Sequence, residues 1–267
     1  MSKRVVFFVC ILLTASCGLL FSQVGLSVSP PRVYYHIAPG ETGSQKLLVS
    51  NISKNYALSL SLTFSDWKYD DEGNNLMFSP DSLTNSCASW MSVKEGSYLS
   101  LEPGENKEIE LVMNVPPNPK GDENVHTALL YVTQMNPIEG MDEQGVGINI
   151  NVRQGIKIYH KGKAPEIKKL EIENLTYDKA SNSLQLIFNN KGNSWVNGQV
   201  TATVFNEATG KEIAPEPIVF YTLPGDHRIM AIPLGTEPAQ GTYTATVMLD
   251  SGDDADIEAA QLEFTYE

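Results

Sequence analysis

The run Gly147-Ile148-Asn149-Ile150-Asn151-Val152-Arg153-Gln154-Gly155-Ile156-Lys157-Ile158-Tyr159 alternates apolar and polar residues. With Val146 ahead of it, Val146, Ile148, Ile150 and Val152 fall on one face, and Gly147, Asn149, Asn151 and Arg153 on the other. A period of two is the pattern of an extended strand, not of a helix. One long strand is therefore expected to close the first part of the chain, ending at Lys157 and its neighbours.

The same period recurs on both sides of this run. Leu58, Leu60, Leu62 and Phe64 alternate with Ser59, Ser61, Thr63 and Ser65. Leu99 and Leu101 lead into the turn Pro103-Gly104, and Ile109, Leu111, Met113 and Val115 lead into Pro116-Pro117. Ser44 to Asn51 and Ala128 to Thr133 are further short apolar runs. Strands at this spacing, joined by Gly, Pro and Asn turns, describe a β-sandwich. After Gly162-Lys163-Ala164-Pro165 a second set begins. Leu184, Leu186 and Phe188 alternate, as do Val200, Ala202 and Val204, and then Tyr243, Ala245, Val247 and Leu249. The expectation is all-β, with two immunoglobulin-like β-sandwich domains over residues 23-162 and 163-267. A chain of 267 residues with 42% hydrophobic residues suits two cores.

The first 22 residues read differently. Lys3 and Arg4 precede a nearly unbroken apolar run from Val5 to Phe21, and no acidic residue appears before Glu41. That is the plan of a secretory signal peptide over 1-22, with cleavage near Gln23. A membrane anchor and a lipoprotein with lipid on Cys17 are the alternatives. The run is short for the first, and Thr14-Ala15-Ser16 is a poor lead-in for the second. Cleavage would remove two basic and no acidic residues, taking the formal charge from −13 to −15. So acidic a surface repels nucleic-acid phosphates and anionic lipid, which argues against both as partners. Cleavage also removes Cys10 and Cys17, leaving Cys87 without an intramolecular disulfide partner; it is expected to be a small buried or half-buried residue and not a catalytic thiol.

Motifs of catalysis are missing. Gly145-Val146-Gly147 lacks the further glycine of a dinucleotide loop, and neither a nucleophile elbow nor a phosphate loop occurs. His36, His126, His160 and His227 show no ligand spacing and are read as surface or half-buried residues. Asp250, Asp253, Asp254 and Asp256 form either a solvated turn or a calcium site, with the turn preferred. No enzyme, cofactor or metal is expected.

Three stretches carry a resemblance. Ser29-Pro30-Pro31-Arg32-Val33-Tyr34 resembles the opening strand of PapD-type periplasmic pilus chaperones, arginine included. Leu99-Ser100-Leu101-Glu102-Pro103-Gly104-Glu105 is similar to their L-x-P-G turn, and the run from Gly147 to Tyr159 to their long last strand with its lysine. The resemblance spans about Gly25 to Lys161. It implies a periplasmic, non-enzymatic chaperone that caps pilin-like subunits of a surface fibre, with an outer-membrane usher as a further partner. It implies that Val146, Ile148, Ile150 and Val152 are the donor strand, and that Arg32 and Lys157 bind the client's terminal carboxylate. Val125-His126-Thr127 departs from the family, which has an acidic residue there, and leaves Lys161 at the domain junction with no visible partner. The competing reading is an exported adhesion module that binds cell-wall material or another surface protein.

Overall fold

The computed structural model describes residues 25–119, 124–141, 146–235, 238–252 and 257–266. The leader expected over 1-22, and Asp253, Asp254 and Asp256 of the acidic cluster, lie outside the described residues. The chain is all-β, in two immunoglobulin-like sandwiches; among the described residues the only helical element is one 3-10 turn, Ala88–Trp90. No described helix is long and apolar enough to cross a membrane.

Among the described residues the first half of the chain forms β1 (Leu26–Ser29), β2 (Arg32–His36), β3 (Thr42–Asn51), β4 (Leu58–Tyr69), β5 (Asn75–Phe78), β6 (Met91–Val93), β7 (Tyr98–Leu101), β8 (Asn106–Asn114), β9 (Val125–Gln134), β10 (Ile138–Met141), β11 (Gly147–Ile150) and β12 (Arg153–Lys161), and all but β10 and β11 build the first sandwich. One sheet runs β1-β3-β8-β6 and the other β2-β12-β9-β4-β5, with β7 also on β4. The alternating residues face inward as their period demands: Leu58, Leu60 and Leu62 meet Ile109, Leu111 and Met113 in one core. A large aliphatic side chain gains about 1.5–3 kcal/mol on such burial. Cys87 is a fully buried member of this core, as its isolation suggested, and burial holds its thiol well above the usual range.

Among the described residues eight more strands build the second sandwich: β13 (Leu170–Asp178), β14 (Ser183–Asn190), β15 (Val196–Asn206), β16 (Glu212–Ile213), β17 (Ile218–Thr222), β18 (His227–Pro233), β19 (Gly241–Asp250) and β20 (Glu258–Tyr266). Its sheets run β13-β14-β18 and β16-β15-β19-β20, with β17 on β15. Leu184, Leu186, Phe188, Val200, Val204, Ala245, Val247 and Leu249 form its core. A third cluster joins the two sandwiches: Trp67, Tyr69, Leu129 and Tyr159 from the first and Leu223 from the second, flanked by Tyr34, Trp195 and Tyr221.

The expected single strand from 147 to 159 is broken in two. β12 stays in the large sheet, antiparallel to β9, whereas β11 pairs only with β10 in a separate ribbon. The cause lies in the strand opposite. After Gln134, whose N–H still bonds the Val152 carbonyl at 2.8 Å, the chain turns away. The Met135 N–H bonds the Ser59 carbonyl, and the Asn136 side chain bonds Ser59 and Ala57. Pro137 has no N–H to continue the ladder. The partner returns at Ile138, which opposes Ile150.

Candidate functional site

Strands β2 and β12 are parallel and place Arg32 directly opposite Lys157. Residues so paired share a face of the sheet, here the face turned toward the second sandwich. Pro31 offers no N–H, but its carbonyl accepts from the Lys157 N–H at 3.1 Å and fixes this register. The Lys157 amine reaches the Tyr69 hydroxyl at 3.0 Å and Asn75 Oδ1 at 2.6 Å, and lies 3.8 Å above the Trp67 ring. The Arg32 guanidinium stacks 4.2 Å over Tyr221 of β17. Both cations thus rest on aromatic faces, which attract them.

Burial, and then the charges of Arg32 and Arg228, pull the Lys157 amine down to about 8. Burial also pushes the Tyr159 and Tyr69 phenols up, so they stay neutral and supply no anion. No described carboxylate lies within ion-pairing distance of Arg32 or Lys157; the ion pairs of this chain are made by other residues. Two cations thus stand in register and half-buried, with Asp226 acting on Lys157 through space but no described carboxylate in an ion pair with either.

The apolar residues ahead of Lys157 divide. Val146 is 59% exposed and Ile148 39%, while Ile150 is half-buried opposite Ile138. Val152 is half-buried against the first core. Among the described residues no strand flanks β11 on the side away from β10, and none flanks β12 on the side away from β9 before Lys157. There the Gln154 side chain stands in for a neighbouring strand. Its Oε1 accepts from the Val28 N–H and its Nε2 donates to the Val28 carbonyl, each at 2.9 Å.

The junction has a partner the sequence did not reveal. Lys161 bonds Glu166 at 2.6 Å, and the other Glu166 oxygen accepts from the Ser194 hydroxyl at 2.6 Å. Two histidines are also placed otherwise than expected. His126 and His160 are buried, oppose each other across β9 and β12, and bring their Nδ1 atoms to 3.4 Å. Alternation across two adjacent central strands drives both inward, where Trp90 packs on them. His160 Nε2 faces the Ile37 carbonyl at 2.9 Å and therefore carries the proton. Among the described residues no group of three ligand side chains could hold a metal. Asp250 is exposed and caps the Gly252 N–H at 2.8 Å, as a turn residue does.

No family model matches the chain, and no curated protein matches it. Among solved structures it is similar to the class 5 fimbriae chaperone CfaA, at 12% identity over 89% of this chain and 98% of that one, with a TM-score of 0.48. It is similar to the YadV chaperone at 14% identity over 89% and 100%, TM-score 0.47. It is also similar to a structure of the Salmonella enterica SafA pilin in complex with the SafB chaperone, at 17% identity over 92% and 99%, TM-score 0.45.

Proposed function

We propose that this protein is a periplasmic assembly chaperone that lends the β11–β12 edge to a strand-deficient, pilin-like subunit and holds that subunit's C-terminal carboxylate between Arg32 and Lys157. The observation that carries the reading is the pair itself: two cations in one register on adjacent strands, neither ion-paired to a described carboxylate. The unflanked edge that leads into the pair supports it, since a client strand laid there would end at the cations. Register then matters, because a slip of one residue would turn Ile148 and Ile150 away from the client. The proposal includes a leader over 1-22, domains over 23-162 and 163-267, and an outer-membrane usher as the next partner in assembly. No described ladder joins a strand before residue 162 to one after it.

The test is co-export. The protein is expressed with the genes beside its own, captured from the periplasm, and any co-purifying sandwich subunit is identified. That subunit is then remade with its last residue removed. Capture should be lost with the shortened subunit and with Lys157→Ala. A partner retained by both would favour the surface-module reading instead.

A further inference from the structure

Strand β18 carries an arginine where its ladder calls for an apolar residue. Its inward positions are Arg228, Met230 and Ile232, and Arg228 is only 5% exposed. A buried guanidinium is expensive unless every donor is met. Here NH1 donates to the Tyr221 carbonyl at 3.0 Å, while Nε has no hydrogen-bond partner. The group packs across the junction, against Gly73 of the turn between β4 and β5; a Cβ added at Gly73 would collide with it. It lies 5.4 Å from the centre of the Tyr69 ring, the ring that also carries Lys157 at 4.2 Å. The Tyr221 that accepts from Arg228 presents its own ring to Arg32. Two tyrosines therefore gather three cations, two from the first sandwich and one from the second.

No described carboxylate forms an ion pair with Arg228. Asp226 is the nearest in sequence, and its carboxylate is turned to the Leu223 N–H at 2.7 Å and the Thr222 hydroxyl at 3.2 Å. Asp226, Asp70 and Asp71 thus act on Arg228 through space, but none of them takes up its donors.

We infer that Arg228 is a third contact for the carboxylate held by Arg32 and Lys157, so that the anion site is closed by both domains and its occupant ties them together. The inference rests on the carboxylate-anchor reading above and adds a residue outside the resemblance. It gives the second domain a part in binding, and it explains why glycine stands at 73. With φ of +87° that turn favours glycine for its backbone, and the guanidinium needs the space of the missing side chain.

The probes are N-acetyl-alanine and N-acetyl-alaninamide, which differ only in the charge of their end. NMR of the full chain follows the Arg228 Nε–H and titrates the Lys157 amine. The acid should move the Arg228 signal and raise the Lys157 pKa; the amide should do neither. Arg228→Gln should weaken the acid roughly tenfold, the loss of one charge-assisted contact, and raise the Lys157 pKa in the free protein because a repelling cation is gone. Gly73→Ala keeps the charge but displaces it, and should weaken the acid as well. It decides the matter if Arg228→Gln fails to fold. If Arg32→Ala and Lys157→Ala lose the acid while Arg228→Gln and Gly73→Ala bind it as before, this inference is overturned and the two-residue anchor stands. If acid and amide bind the native protein alike, the anchor itself is wrong.

Discussion

Strands β11 and β12 come from one alternating run, yet their isoleucines meet opposite fates. Ile156 and Ile158 are fully buried in the first core, whereas Ile148, eight residues earlier than Ile156, is 39% exposed on a ribbon outside the sheet. The same period-two pattern has produced a structural half and an available half. What separates them is the partner strand: β9 runs alongside β12 and turns away at Met135–Pro137. Alternation states that a face is apolar; it does not state whose core that face will fill.

The sharpest way to break this comparison is to make the same kind of damage in each half. Ile148→Asn with Ile150→Asn should lower client capture roughly a thousandfold, given about 1.5–3 kcal/mol for each buried side chain and 1.4 kcal/mol for each factor of ten. The melting temperature should move little. Ile156→Ala should do the reverse, removing about 2–5 kcal/mol of folding stability by leaving a cavity. Chemical denaturation and quantitative capture, run on both variants, read the contrast. Unfolding of the first variant would mean that β11 belongs to the domain's own core after all.

The second contrast is between the lysines of β12. Lys161 has its carboxylate in Glu166, and Lys157 has only neutral acceptors in Tyr69 and Asn75. Lys161→Met should therefore act on stability. Glu166 remains partly exposed, so the loss is about 1–2 kcal/mol, between the values for surface and buried pairs. Lys157→Ala or Arg32→Ala should act on binding, weakening capture roughly ten- to a hundredfold. The double variant should lose less than the sum, because either change alone misplaces the carboxylate.

Much of the fold was legible because most strands keep a clean period. β13 escaped because a bulge between Ile172 and Asn174 shifts its phase, so that Leu170 and Leu175, five residues apart, both turn inward. β18 misleads in another way. Read by hydropathy, Ile229 should be inside and Arg228 outside; the structure has Arg228 buried and Ile229 36% exposed. Of the proposed site, Arg32 and Lys157 were singled out through the resemblance and not through any local signal. Arg228 and Glu166 were not found, since their meaning comes from register and from packing across the junction, which no local pattern records. The buried pair His126 and His160 is the same lesson, two rings that touch from positions 34 apart in the chain.

Acidity offers the last and smallest effect, and it separates binding from stability at a single group. The Lys157 amine titrates at about 8 in the fold because burial, Arg32 and Arg228 disfavour its charge. In the unfolded chain it titrates near the ordinary lysine value of about 10.4. Between these values the unfolded state binds the extra proton, so stability gains as pH rises from about 8 toward 10. The facing groups do not cancel this. Tyr69 and Tyr159 are raised out of the window by burial, Asp226, at about 6, is already ionised, and Arg32 and Arg228 stay charged. Capture must move the other way, since a neutral amine holds a carboxylate less well. From pH 7 to 9.5 client affinity should fall roughly tenfold while the midpoint of urea unfolding rises slightly. Lys157→Met should flatten both curves. Affinity that stays level across this range in the native protein would show that the amine does not touch the bound anion.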